Sequence, residues 1–476
     1  MFFVAYPFAM PALLTRLTAR SWFWFGVAFL LFGVHVFTSR FHAQVYDANG
    51  YWELAQKLYQ NGNFSLLNFD SGLRGCLFPL LYVPVVALGQ TGIFSEETLI
   101  KLLGALLAAG LTARLVPALW QRVTGQLVGT GRRALFIGVV FLLWRDYFNY
   151  TLTDFPALAG LGGALYLLHG RPTLVRLFLV GMLAAFVVNI RPIYLVALPF
   201  LALLGSVAAS RATAGPWYGA TGRFLLIFTA GFLLTCVPQW VINYQNFGVN
   251  RPLVIGIDFQ DPNMVEVGDL YLQQINAGFS MQKYETGIAV DYPIPQVRYQ
   301  DPAGTQLLQQ NFNQRIDSYG EYLQVVAQHP ADMVALNGRH LFNGLDVLYP
   351  TPYLYRVYTS TAALAWVNYT LLFVAGTVLL LRGQRLTRLM LLTILPLLIP
   401  ALTAIPLPME CRYMLPLHLM LLAGACFGWP TNWTWRYLAG RRLTIGLTYG
   451  AFITVCFMLS ANTQALLAAA PKLIMP

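Results

Sequence analysis

The feature that most constrains this chain is a series of long apolar runs with almost no charge inside them. The first, "SWFWFGVAFLLFGVHVFTS" at 21–39, is long enough to cross a bilayer core, which takes about 20 apolar residues. Further runs lie near 98–119, 134–150, 155–170, 177–190, 192–208, 223–243, 361–381, 389–405, 413–428 and 443–460. Together they predict about eleven crossings, in a range of about 10–13. The expected fold class is therefore an all-α polytopic membrane protein. Composition agrees: of 476 residues, 57% are hydrophobic and only 10% charged, and mean hydropathy is +0.58, which no ordinary soluble globule tolerates. The first run lacks an A-x-A-like cleavage site and reads as an uncleaved anchor.

The net charge of +11 argues for topology, not for nucleic acid. Its basic residues come as small clusters between apolar runs, and no stripe forms along one face. If alternate connections are cytoplasmic, they hold Arg16 and Arg20; Arg114, Arg122, Arg132 and Arg133; Arg171 and Arg176; Arg211 and Arg223; Arg382, Arg385 and Arg388; Arg436, Arg441 and Arg442; and no Asp or Glu. That asymmetry predicts an N-terminus inside and a C-terminus outside. To keep the parity, "LFPLLYVPVVALG" after Gly75 must not cross; its short length, two prolines and acidic exit at Glu96 and Glu97 place it on the outer surface.

The expected layout is a cytoplasmic N-terminus at 1–20, a membrane module at 21–243 with a first outer loop at 39–97, a large outer region at 244–360, and C-terminal spans over 361–476. The region 244–360 carries turn-rich stretches such as "DFQDPNMVEVGD" and "DYPIPQVRYQDP" and one helical stretch near 303–328. It reads as a lid or wall and not as an independent domain. Five cysteines without a C-x-x-C point to neither a disulfide framework nor a zinc site; Cys76 and Cys411 share the outer face but read as unrelated thiols. His340 and His418 stand alone and read as structural.

Ionisable residues gather at the outer ends of the spans. Asp47 opens a short amphipathic helix in which Tyr51, Leu54, Ala55, Leu58 and Tyr59 recur at helical spacing before the stop signal Asn61-Gly62. Arg74 lies in "SGLRGCLFP", Asp154 in "NYTLTDFPALAG", Arg191 in "VVNIRPIYLV", and Glu410, Arg412 and Tyr413 in "PLPMECRYMLPLH". Each has a plain structural account: Asp47 and Asp154 as helix caps, Arg191 as a cation reaching the headgroups, Glu410 and Arg412 as a surface pair. As a set at one depth they suit one chemistry. Arginines hold a lipid phosphate and take up the charge that develops on it, while a carboxylate accepts the proton of an attacking hydroxyl.

The order of these residues resembles the GT-C superfamily of membrane glycosyltransferases, in particular bacterial relatives of protein mannosyltransferases and aminoarabinose transferases. The matching positions are Asp47 and Tyr51, Arg74 and Pro79, "TDFPA" with Asp154, Arg191-Pro192, "NYQNFG" at 243–248 and "ECRYMLP" at 410–416. The resemblance implies a GT-C-type helical bundle in a bacterial inner membrane, with its site facing the periplasm. It implies an inverting transfer from a polyprenyl-phosphate sugar donor to a glycan, lipid or protein acceptor. Asp47 would be the acceptor-activating base and Asp154 the second acidic residue; Arg74, Arg191, Arg412, Tyr51, Glu410 and Tyr413 would bind donor phosphate or substrate. Many protein mannosyltransferase relatives carry Asp-Glu at the first motif, whereas this chain has Asp47-Ala48. That departure removes a second metal-binding carboxylate, so no cofactor is expected, with a divalent cation as the alternative. A lipid-linked glycan polymerase or ligase shares donor and sidedness; a transporter or flippase would instead need a site near the midplane.

Overall fold

The computed structural model describes residues 21–211, 216–257, 269–288, 296–312, 315–356, 361–381, 387–429 and 441–469. Arg16, Arg20, Arg382, Arg385, Arg436 and most of "DFQDPNMVEVGD" lie outside them, as does the start of "DYPIPQVRYQDP". Helices dominate. The N-terminal half runs α1 (Ser21–Thr38), α2 (Tyr46–Leu58), the hairpin β1 (Tyr59–Gln60) and β2 (Asn63–Phe64), α3 (Leu77–Gln90), α4 (Glu96–Ala109), α5 (Val116–Thr124), α6 (Thr130–Trp144), α7 (Asp154–Leu168), α8 (Leu174–Ile190), α9 (Leu198–Arg211) and α10 (Trp217–Phe247).

The large connection follows with α11 (Leu270–Ser280), β3 (Met281–Gly287), β4 (Gln296–Gln300), α12 (Pro302–Phe312), α13 (Tyr319–Gln328), α14 (Pro330–Leu345) and β5 (Tyr353–Leu354). The chain ends in α15 (Ala362–Leu381), α16 (Arg388–Ala404), α17 (Leu415–Phe427) and α18 (Arg442–Ala469).

Among the described residues, six helices are long and apolar enough to cross a membrane: Ser21–Thr38, Glu96–Thr124, Pro192–Arg211, Trp217–Phe247, Ala362–Leu380 and Arg442–Leu467. These coincide with six of the runs expected from sequence and establish a polytopic membrane protein. Thr130–Asn149 and Asp154–Leu168 reach that standard only when taken together, as a seventh span, so the expected count of eleven is not confirmed. Leu174–Ile190, Arg388–Ala404 and Cys411–Phe427 are shorter apolar helices. Thr130–Asn149 and Asp154–Leu168 meet at a bend of 120°, which puts irregular backbone at 150–153 where neighbouring segments cover it. The segment after Gly75 forms α3, a helix of 14 residues with Pro84 inside, shorter than a crossing requires.

Packing follows membrane rules. Helices α8 and α10 approach at reciprocal glycines: a Cβ at Gly181 would lie 2.0 Å from the Phe228 carbonyl oxygen, and one at Gly231 would lie 2.2 Å from that of Phe178. Small residues at such contacts let backbones close on each other, which replaces the missing hydrophobic driving force in lipid.

The large connection holds more order than its turn-rich sequence suggested. The expected helix near 303–328 resolves into α12 and α13, followed by α14, and strands β4-β3-β5 form a small sheet in that order. Strand β3 pairs antiparallel with β4 and parallel with β5. Leu272, Ile275, Phe279, Leu307, Val325 and Leu336 from this region share one core with Ala401, Ala404, Met409 and Met414 beside the C-terminal spans. The region is thus packed onto the bundle as a wall.

Candidate active site

The start of α2 sets the position of Asp47. Val45 is the N-cap and its side chain caps nothing; Tyr46 is helical residue one, with φ 47. A positive φ is costly for a bulky residue and needs surrounding structure to hold it. Here the Tyr46 hydroxyl donates to the Gly287 carbonyl at 2.6 Å, fastening α2 to β3. At the other end of α2, Asn61 (φ 50) and Gly62 (φ 77) make the two-residue turn of the β1–β2 hairpin, the connection whose twist suits paired strands.

Asp47 does not act as a cap. Its Oδ1 accepts from Arg74 Nη2 at 2.9 Å and its Oδ2 from Arg412 Nη2 at 2.8 Å, while Arg74 Nη1 donates to the Asp47 carbonyl at 3.0 Å. Burial alone would raise the Asp47 carboxyl, but the Arg412 and Arg74 guanidiniums outweigh it and hold it at about 2. The side chain keeps 44% exposure, so the carboxylate is gripped from within and open on one side. Arg74 lies over Gly50, where a Cβ would sit 3.2 Å from the guanidinium carbon, and stacks 4.4 Å from the Tyr51 ring centroid.

A chain of buried amides positions the Arg74 loop. Asn189 Oδ1 accepts from Leu77 N at 2.9 Å, Gln239 Oε1 accepts from Cys76 N at 2.9 Å and from Asn189 Nδ2 at 3.0 Å, and Gln239 Nε2 donates to Asn243 Oδ1 at 2.8 Å. Asn246 Nδ2 donates to the carbonyls of Leu67 and Phe69. The two asparagines of "NYQNFG" therefore hold loops in place and do not face the site.

Asp154 stands at the elbow between α6 and α7. It is the first residue of α7 and makes no cap; its Oδ1 accepts from Arg191 Nη1, and its Oδ2 lies 4.0 Å from Arg412 Nη1 with no hydrogen-bond partner among the described residues. Its side chain is 1% exposed. Thr151, in the elbow, donates its hydroxyl to the Ala48 carbonyl at 2.6 Å, and its N–H to Gln44 Oε1 at 2.9 Å. Those bonds bring α7 against the start of α2.

Arg412 is the hub. Its Nε donates to Glu410 Oε2, its Nη2 to Asp47, and its Nη1 faces Asp154. Glu410 is buried and Arg412 largely covered, so the plain account of a surface pair does not hold. Burial pushes the Glu410 carboxyl above the ordinary range against the pull of Arg412. Tyr413 presents its ring to Arg191 at 5.6 Å and to Arg412 at 5.7 Å. All eight residues singled out from sequence, Asp47, Tyr51, Arg74, Asp154, Arg191, Glu410, Arg412 and Tyr413, thus form one continuous cluster.

Sequence reasoning missed the contribution of β3. Its Tyr284 hydroxyl meets that of Tyr413 at 2.7 Å, and Thr286 Oγ1 donates to Glu410 Oε1 at 3.3 Å. Tyr353, in β5, accepts from Ala48 N at 3.3 Å. The signal lay in the alternation Gln282, Tyr284, Thr286 in "MQKYETG", a period-2 pattern with aromatic and β-branched members. Among the described residues, no group of three or more His, Cys, Asp or Glu side chains is placed to hold a metal ion. Arg412 occupies the space between Asp47 and Asp154 where a shared cation would stand. All five cysteines are free.

Comparison with protein-family models, with curated proteins and with solved structures returns no match to this chain.

Proposed function

We propose that the protein is an inverting glycosyltransferase that moves a sugar from a polyprenyl-phosphate donor to an acceptor hydroxyl on the outer side of the membrane. The observation that carries this reading is the interlocked set of three carboxyls, Asp47, Asp154 and Glu410, with three guanidiniums, Arg74, Arg191 and Arg412. Ionisable groups at the ends of membrane spans are costly, and functional by default. The guanidiniums of Arg74, Arg191 and Arg412 offer planar paired donors that suit an anionic headgroup.

The donor phosphate draws Arg74 and Arg412 to itself, each able to offer paired N–H donors. Asp47 then loses part of the positive charge that holds it near 2, and its carboxyl rises toward a range where it accepts a proton usefully. The acceptor hydroxyl attacks the anomeric carbon from the face opposite the phosphate as its proton passes to Asp47. The new glycosidic C–O bond forms while the bond from the anomeric carbon to the phosphate oxygen breaks, and the electron pair leaves with the polyprenyl phosphate. Arg74 and Arg412 stabilise that leaving charge. Asp154, buried behind the cluster, holds Arg191 and faces Arg412, and so positions the guanidiniums for the phosphate.

The test is transfer of a labelled sugar in proteoliposomes across a panel of polyprenyl-phosphate donors, native against Asp47→Asn at matched insertion. The expected result is transfer by the native chain and a loss of about 10²-fold or more in the variant, with donor binding kept. Undiminished transfer by Asp47→Asn removes the base assignment. A native chain inert toward the whole panel, yet able to move a lipid-linked sugar between leaflets, replaces the enzyme with a flippase.

A further inference from the structure

A cavity of about 760 Å³ lies beside the Asp47 cluster and shares with it only the wall made by Tyr353. Its lining is mixed. Leu142 of α6, Leu348, and Leu364 and Val367 of α15 supply apolar surface. Arg40, Arg145 and Arg356, which come from three separate parts of the chain, supply positive charge. Arg40 directly follows the turn after α1, Arg145 directly follows α6, and Ala363 at the start of α15 also lines the cavity. The cavity therefore opens where membrane helices end, at the depth of lipid headgroups.

Among the described residues, none of the three arginines forms an ion pair with a carboxylate. The one acid in the lining, Asp146, is occupied by His35 Nε2 at 2.6 Å and is 10% exposed. Arg40 stacks over the Tyr355 ring at 4.3 Å, which orients its guanidinium, and it makes no hydrogen bond among the described residues. Arg145 donates from Nη1 to the Leu142 carbonyl at 3.0 Å, and Arg356 is exposed. An arginine offers planar paired donors that match the oxygens of a phosphate, and three arginines line this cavity. A bare phosphate would leave the apolar wall in water; a water-soluble organic anion would do the same. A volume of this size accommodates a headgroup and the first methylenes of its chains.

We propose that this cavity binds one anionic diacyl phospholipid, its phosphate held by Arg40, Arg145 and Arg356 and its upper chains laid on Leu142, Leu348, Leu364 and Val367. The site is separate from the Asp47 cluster and does not depend on glycosyl transfer being the activity. Its occupant braces the cluster, because Tyr353 lines the cavity and its hydroxyl accepts the Ala48 N–H next to Asp47.

The experiment uses the full chain, delipidated in a neutral detergent and titrated with short-chain phosphatidylglycerol, with bound lipid counted by native mass spectrometry. One tight equivalent per chain is expected. Arg40→Gln/Arg145→Gln/Arg356→Gln should weaken it by about tenfold or more, as loss of charge-assisted contacts requires, whereas Arg171→Gln/Arg176→Gln should not. Phosphatidylcholine should bind about tenfold more weakly, and excess inorganic phosphate should fail to displace the lipid. Arg356→Gln alone, at an exposed position, and Leu364→Gln, on the apolar wall, each should weaken binding if the triple variant does not fold. Equal affinity of the arginine variants for phosphatidylglycerol overturns the proposal, as does equal binding of phosphatidylcholine. Displacement by inorganic phosphate reduces the site to an anion site and overturns the lipid assignment.

Discussion

Asp154 and Asp47 show how differently two paired carboxylates respond to substitution. Asp154 is 1% exposed and Arg191 17%, so removing either partner strands a charge in a poorly solvated place. Arg191→Ala is expected to cost about 3–5 kcal/mol of stability, and Arg191→Ala/Asp154→Asn to recover much of it; thermal unfolding in detergent measures both. Asp47 is 44% exposed, and its partner Arg412 keeps Glu410 when Asp47 is replaced, so Asp47→Asn should cost only about 1 kcal/mol. That difference makes Asp47 the clean probe of chemistry. It also separates two residues that the sequence presents alike, each an Asp just past the outer end of an apolar run.

Strand β3 is the element whose two faces do two jobs. Tyr284 and Thr286 reach Tyr413 and Glu410, while Lys283 and Glu285 point to the opposite face. There one buried ammonium serves two carboxyls: Lys283 Nζ lies 3.4 Å from Glu285 Oε1 and 3.9 Å from Asp346 Oδ2. Asp346 also accepts from the Tyr369 and Ser460 hydroxyls at 2.6 and 2.9 Å. Burial raises Glu285 from 4.5 to about 7, with Lys283 pulling the other way and Glu410 adding to the rise. A carboxyl raised in the folded state favours folding below its ordinary value and loses that contribution as pH climbs through the raised one. The thermal midpoint should therefore fall between about pH 5 and 7, a change of up to about 3 kcal/mol. Glu285→Gln should flatten that slope; a slope that persists unchanged would assign it to another group.

At the scale of the whole molecule, Asp346 ties β3 to α15 through Tyr369 and to α18 through Ser460, so the large connection is bonded to the last spans. The orientation proposed from arginine placement is checked by labelling in intact cells with a membrane-impermeant maleimide. Asn63→Cys, in the hairpin after α2, should react from outside, and Leu127→Cys, 85% exposed between α5 and α6, should not. Reaction at Leu127→Cys alone would reverse the topology and place the Asp47 cluster on the cytoplasmic side.

By itself the sequence determined the class of the molecule, six of its membrane helices and the membership of the charged cluster. Apolar run length and the side on which charges fall are local properties, and a bilayer selects on them directly. Only the tertiary structure decided who pairs with whom. Arg412 meets Asp47 across 365 positions of sequence, a contact that no spacing encodes. It exists because the elbow before α7, the Arg74 loop and the turn before α17 are brought together by packing. The same holds for β3 and the arginine-lined cavity: the alternation in "MQKYETG" marks a strand but not its partners, and both acquire their chemistry only when distant pieces of the chain close together.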